Sequence, residues 1–156
     1  NIIVPLCLSL WCCLMSTWQF SSIEKADLAC LADIYCQAFD QEPWHECWTQ
    51  EMALTRLTYF YKTPGFVGWK ATKGDMIGGF VLGHRMPYVD RWIFDVKELC
   101  VLPSIQGQHL GSQLFEYMEK SVALPLSLYT HPQLKGYYER LGLQLDPYLM
   151  MSKKIG

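Results

Sequence analysis

No polybasic run occurs in this 156-residue chain, and its formal net charge is −2. It lacks the basic field that marks a nucleic-acid binder. Charge of either sign is sparse, 18% of residues against 51% hydrophobic, which excludes a disordered, solvating chain and fits one domain with a proper core. Cys-x-x-Cys and His-x-x-x-His spacings are both missing. The seven cysteines, Cys7, Cys12, Cys13, Cys30, Cys36, Cys47 and Cys100, therefore read as buried thiols in a reducing cytoplasm rather than as a zinc site. No linker, repeat or low-complexity stretch divides the sequence.

Membrane signals are also short. Residues 1–14 are nearly all apolar, but the run is too short for a transmembrane helix and has no basic n-region of a signal peptide. Met15-Ser-Thr-Trp18 reads as a natural start, so residues 1–14 are expected to be an extension upstream of the native coding sequence, with the domain at 15–156. Ile2, Ile3, Val4, Leu6, Leu8, Leu10, Trp11 and Leu14 are too many apolar side chains to leave in water. They are expected to pack on their own domain or on a second subunit in a homodimer.

Periodicity and punctuation supply the elements. Thr17 to Ile23 reads as a short edge strand. Asp27 is placed to cap a helix with Leu28, Leu31, Tyr35, Ala38 and Phe39 on its apolar face. Asp40 to Glu46, broken by Pro43, is a loop. Thr49 caps a second helix burying Met52, Leu57 and Phe60, stopped by Thr63-Pro-Gly65. Phe66–Thr72 and Met76–Gly83 form a hairpin around Lys73-Gly-Asp75, and Gly78-Gly79 suggests a bulge or a close backbone approach. Arg85–Asp90 reads as a loop and Trp92–Leu102 as the longest strand. A helix from about Leu110 to Val122, a short strand Leu126–Thr130, a helix from Pro132 to its C-cap Gly142, and a last strand Leu143–Lys153 complete an α+β domain of order β-α-α-β-β-β-α-β-α-β.

The stretch from Leu99 to Glu119 organises the rest. A strand passes through Pro103 and a glycine-bearing turn into an amphipathic helix with Leu110, Leu114, Tyr117 or Met118, and Val122 at helical spacing. The first backbone N–H groups of that helix, from Gln106 to Ser112, have no partner within it and carry the positive end of its dipole. Such a start suits a phosphate or pyrophosphate.

Gln106-Gly-Gln-His-Leu-Gly111 resembles the Arg/Gln-x-x-Gly-x-Gly/Ala acetyl-CoA signature of the GNAT superfamily of N-acetyltransferases. His131-Pro-Gln-Leu-Lys-Gly-Tyr-Tyr138-Glu-Arg-Leu-Gly142-Leu143 resembles that family's second signature, Asn-x-x-Ala-x-x-x-Tyr-Glu-x-x-Gly-Phe. The two stand in the family's order, and the resemblance runs from about Trp18 to Lys153. His109 replaces a glycine, His131 an Asn, Leu134 an Ala and Leu143 a Phe. A histidine at 109 would cost on the order of 1 kcal/mol if the position needs positive φ.

The resemblance implies a mixed, mostly antiparallel sheet splayed around an acetyl-CoA cleft and flanked by about four helices. It also implies cofactor contacts at Leu99, Cys100, Val101, Gln106, Gly107, Gln108, His109, Leu110, Gly111, Ser112, His131 and Tyr138. Tyr138 falls at the family's Tyr position and would protonate the leaving thiolate. It alternatively reads as a core aromatic beside Tyr137.

The base stays open between Asp95, Glu98 and a water chain. Asp95 and Glu98 differ by an odd number, so a regular strand sets them on opposite faces and only a bulge brings both to one cleft. His45 and His84 read as loop residues, either bordering the substrate or, more commonly for such positions, simply surface histidines; His109 reads as facing phosphates and His131 as a cap. Asp40, Glu42, Glu46 and Glu51 serve either a helix dipole or a cationic amine, with Trp44, Glu46 and Trp48 as the substrate contacts. The leading expectation is a cytoplasmic enzyme acetylating a small cationic amine, polyamine- or aminoglycoside-like, with no nucleic-acid or membrane partner and no metal. The alternatives are a protein N-terminal or lysine acetyltransferase and a non-catalytic acetyl-CoA-binding module.

Overall fold

The computed structural model describes residues 17–156, so the expectations for residues 1–14, the dimer among them, lie outside the described residues. The order is β1 (Gln19–Ser22), α1 (Leu28–Phe39), α2 (Gln50–Lys62), β2 (Phe66–Lys73), β3 (Met76–Tyr88), β4 (Arg91–Val101), α3 (Leu110–Val122), β5 (Leu126–Ser127) and α4 (Lys135–Arg140). Short 3-10 turns precede α1, α3 and α4. The strands form one mixed sheet in sequence order, antiparallel from β1 to β4 and parallel between β4 and β5.

Local chemistry accounts for most boundaries. Thr49 Oγ1 accepts the Met52 N–H at 3.2 Å and caps α2 as expected. Gly74, at φ +60°, allows the two-residue turn between Lys73 and Met76. Where β2 pairs with β3, Ala71 faces Gly79 and Thr72 faces Ile77, so Gly78 is the extra residue of a bulge. A Cβ there would meet the Trp18 ring at 2.4 Å. Both the bulge and the close approach expected of this glycine pair are present.

Other expectations are corrected. Arg85–Tyr88 belongs to β3, because its partners Ile93, Phe94, Trp92 and Arg91 extend the β3–β4 ladder past Pro87. Leu143–Lys153 forms no strand: it pairs with nothing among the described residues, and Leu145, Tyr148, Leu149, Met150 and Met151 are exposed. Asp27 does not cap α1 through its side chain. Its carboxylate instead receives the Glu24 N–H at 2.7 Å and pairs with Lys70 at 2.6 Å. Met52 is exposed rather than buried, and so are Cys30 and Cys47.

Helices cover both faces of the sheet. Leu28, Leu31, Tyr35, Ala53, Leu57 and Phe60 of α1 and α2 pack with Phe80, Leu82 and Cys100 on one face. Leu110, Leu114, Phe115 and Met118 of α3 pack with Val81, Phe94 and Val96 on the other. β5 meets β4 only at Phe94↔Leu126 and Asp95↔Ser127. From Val96 to Val101, β4 has no sheet neighbour on that side among the described residues, and the sheet opens there.

Candidate active site

A second bulge shapes the working strand. Leu82 pairs with Glu98 but Gly83 with Val96, which leaves Lys97 as an extra residue in β4. The bulge reverses the alternation, so Val96 faces α3 while Glu98 and Cys100 face α1 and α2. Asp95, opposite Val96 in the pleat and paired with His84, shares the face of Glu98. The bulge that the spacing of the two carboxylates required is therefore present.

Their surroundings differ. Glu98 is 5% exposed; its Oε1 accepts the Tyr35 hydroxyl at 3.2 Å and Arg56 Nε at 2.9 Å. Burial pushes its carboxyl up to about 7, against the opposing pull of Arg56 and the Tyr35 hydrogen bond, with Glu46 adding to the rise. Burial and the Glu98 charge in turn push the Tyr35 hydroxyl far up. Asp95 instead binds Lys97 Nζ at 2.6 Å and accepts the Ser127 hydroxyl at 3.3 Å. His84 is buried on β3 rather than in a loop, its Nε2 3.3 Å from the Phe60 carbonyl. His45 lies in the exposed connection, 3.8 Å from Glu42.

Beside the splay lies a cleft of about 350 Å³. Leu99, Cys100 and Val101 line it from β4, Gln106, Gly107, His109, Leu110, Gly111 and Ser112 from the turn and the start of α3, and Tyr137 and Tyr138 from α4. Trp44 and Glu42 reach it from the α1–α2 connection. The turn is drawn back to the strand by Gln106, whose Nε2 donates to the Val101 carbonyl at 3.0 Å.

His109 adopts φ +64° at the N-cap of α3, the left-handed conformation that a glycine would take without strain, and its side chain caps nothing. The N–H groups of Leu110, Gly111 and Ser112 therefore start a helix bare at the cleft wall. An uncapped helix start beside a cavity of this size fits the pyrophosphate of acetyl-CoA.

Tyr138 owes its place to the end of its helix. Gly142 (φ +92°) sends its N–H to the Glu139 carbonyl, and Leu143 sends its own to Tyr138, both at about 3 Å, which is a Schellman closure. That closure puts Tyr138 in the last turn, packed 6.1 Å from the Phe115 ring and facing the cleft. Burial, with Tyr137 adjoining, pushes its hydroxyl well above the ordinary tyrosine range, so it carries its proton throughout the neutral range.

The model of the acetyltransferase (GNAT) family matches residues 29–143, most of the chain. The chain belongs to the GNAT acetyltransferase family. Members of this family take their acetyl group from acetyl-CoA, and the matched segment spans the splay, the turn and Tyr138.

Solved structures agree on the GNAT fold. A possible acetyltransferase from Clostridium difficile 630 superposes with TM-score 0.75 at 13% identity, over 88% of this chain and 97% of its own. The aminoglycoside N-acetyltransferase AAC(6')-Iy, solved with CoA, gives 0.69 at 14% over 88% and 95%. Glucosamine-6-phosphate N-acetyltransferase from Arabidopsis thaliana gives 0.66 at 16% over 90% and 100%. No curated protein matches the sequence.

Not every expected site residue of this GNAT chain gathers at the cleft. Glu98 and Asp95, under the sheet face toward α1 and α2, do not line it; neither does Gln108, nor His131, whose Nδ1 accepts the Gln133 N–H as a cap and whose ring lies 5.6 Å from Trp44. Of the three expected substrate contacts, Trp44, Glu46 and Trp48, only Trp44 lines it. Trp48 donates its indole N–H to Glu46 at 2.6 Å and lines a separate groove along α2 with Arg56 and Tyr59.

Sequence reading missed Tyr35 and Arg56, the two donors to Glu98, and Tyr137, whose hydroxyl accepts that of Ser112 at 3.3 Å. Tyr35 was legible as a tyrosine on an otherwise apolar helix face. Arg56 carried no signal.

Proposed function

We propose that the protein transfers the acetyl group of acetyl-CoA to the primary amine of a small cationic acceptor, with Glu98 as base and Tyr138 as acid. Glu98 carries the reading. A carboxyl held near 7 at neutral pH both attracts an ammonium and accepts its proton, close to the optimum for a general base. Acetyl-CoA supplies a thioester-activated acetyl group. The bare start of α3 holds its phosphates, the backbone of Leu99–Val101 lies along the opening of the sheet, and the protonated Tyr138 hydroxyl gives its proton to the departing thiolate. Asp95 is the weaker candidate for base, because Lys97 and Ser127 already occupy its carboxylate.

Glu42 and Trp44 at the cleft, with Asp40 and Glu46 in the same connection and Glu51 in the first turn of α2, favour a cation. Aminoglycosides and glucosamine-6-phosphate, the acceptors named for two proteins of the same fold, are amino sugars. The groove along α2 supports a second reading, acetylation of a peptide amine, since it gives an extended chain somewhere to lie.

Thiol release with a panel of polyamines, aminoglycosides and peptides decides between them. Turnover of small amines is expected; turnover of peptides alone would overturn the first reading, and no release with any acceptor would leave a binding module. Glu98→Gln is expected to lower kcat/KM by roughly 10²–10⁴-fold. Tyr138→Phe should lower kcat with KM nearly constant. Wild-type turnover in either variant removes that residue from the chemistry.

A further inference from the structure

Both hydrogen bonds to Glu98 converge on the same oxygen. Tyr35 donates its hydroxyl and Arg56 its Nε to Oε1, and no hydrogen bond reaches Oε2 among the described residues. No buried polar side-chain atom in the described structure lacks a partner, so Oε2 must keep some exposure although the residue as a whole is buried.

Arg56 is itself held: its guanidinium lies 4.8 Å from the Phe60 ring centre and 5.7 Å from that of Trp48. Tyr35 is fixed by Phe39 at 4.4 Å and by the edge of Trp48 at 5.1 Å. For a purely structural pair the arrangement is poor. It uses one guanidinium N–H rather than the two-pronged fork, and it buries the carboxylate with half its acceptor capacity unused.

We infer that Tyr35 and Arg56 are positioning residues for the acetyl-transfer base, anchoring Oε1 of Glu98 so that Oε2 is the oxygen presented to the acceptor amine. The inference rests on Glu98 being that base. In the reaction an ammonium N–H bond breaks and its proton passes to Oε2; the freed nitrogen lone pair forms the new N–C bond as the thioester C–S bond breaks, the departing thiolate takes the Tyr138 proton, and the surplus proton on the new amide nitrogen restores Tyr138 by way of water. Tyr35 and Arg56 keep their own protons and stabilise the carboxylate before that transfer. Other titratable groups are near enough to Glu98 for charge to be felt between them: Glu46 from the α1–α2 connection, Cys100 from β4 and Tyr138 from α4, while His84 and Asp95 pair further along β3 and β4. Of all these only Tyr35 and Arg56 hydrogen-bond to it.

The test is the pH profile of kcat/KM for the intact chain with acetyl-CoA and the best amine of the panel. In Tyr35→Phe and Arg56→Met the acidic limb should move to higher pH, with activity several-fold down at neutral pH and recovered on the alkaline side. Arg56→Lys, which keeps the charge, should return the limb toward wild type even if Arg56→Met folds poorly. A limb unmoved in Tyr35→Phe, one that moves as far in Arg56→Lys as in Arg56→Met, or a loss that alkaline pH does not recover, overturns the inference. Glu98→Gln separates the two levels. If it abolishes the limb while Tyr35→Phe and Arg56→Met leave it in place, the base stands and the positioning falls. If it retains the limb, both fall.

Discussion

A buried carboxyl titrating near 7 in the folded chain, against an ordinary value of 4.5, ties Glu98 to stability as well as to catalysis. The folded state then binds the Glu98 proton more tightly than the unfolded chain does. The contribution to stability is complete below the unfolded value and is lost as pH rises through about 7. At 1.36 kcal/mol per unit the loss is at most about 3 kcal/mol. Wild-type stability should therefore fall between pH 5 and pH 8 more steeply than that of Glu98→Gln, measured by urea unfolding across that range. Parallel curves would mean that Arg56 and Tyr35 compensate the buried charge completely. This window was not legible in the sequence. The donors that shape it stand 63 and 42 residues away, and nothing in Asp-Val-Lys-Glu98 announces that Lys97 will bulge.

At the scale of elements, sequence reading succeeded where a residue's own backbone chemistry sets the structure. Thr49 as cap, Gly78 as bulge, Gly142 as helix stop and Lys73-Gly-Asp75 as hairpin turn all act over a few residues. It failed where partners decide. The expected last strand, Leu143–Lys153, is an apolar segment that pairs with nothing among the described residues, and the β3 extension escapes sequence reading because Pro87 masks a ladder that β4 completes.

His109 lies between these cases: its conditional cost is realised, since the position does take positive φ. His109→Gly should raise stability by up to about 1 kcal/mol, the left-handed strain being partly offset by the added freedom of the unfolded chain. Thermal unfolding checks this. A destabilised variant would show that the imidazole makes a compensating contact.

For the whole molecule, the splay is where fold and function meet. β5 holds only the first half of β4, and the same truncation that weakens the sheet's edge opens the cleft walled by Leu99–Val101, the α3 turn and Tyr138. The two apolar cores lie on opposite faces of the sheet, and α3 and α4 both belong to the one that includes Val81 and Phe94. A ligand seated between β4, α3 and α4 therefore joins parts of that core across the gap the sheet leaves open.

Binding only to the folded state adds RT ln(1 + [L]/Kd), about 2.7 kcal/mol at a hundredfold excess over Kd. For a chain of this size that corresponds to a rise in Tm of roughly 5–10 °C. Acetyl-CoA and CoA are both expected to produce it if, as proposed, the bare α3 start takes the pyrophosphate they share. Dephospho-CoA, which keeps that pyrophosphate, should retain most of the shift, and pantetheine, which lacks it, should lose most of it. A cooperative melt unmoved by millimolar acetyl-CoA would remove the cofactor from this cleft. An equal shift with pantetheine would move the binding energy from the turn to the apolar wall of β4.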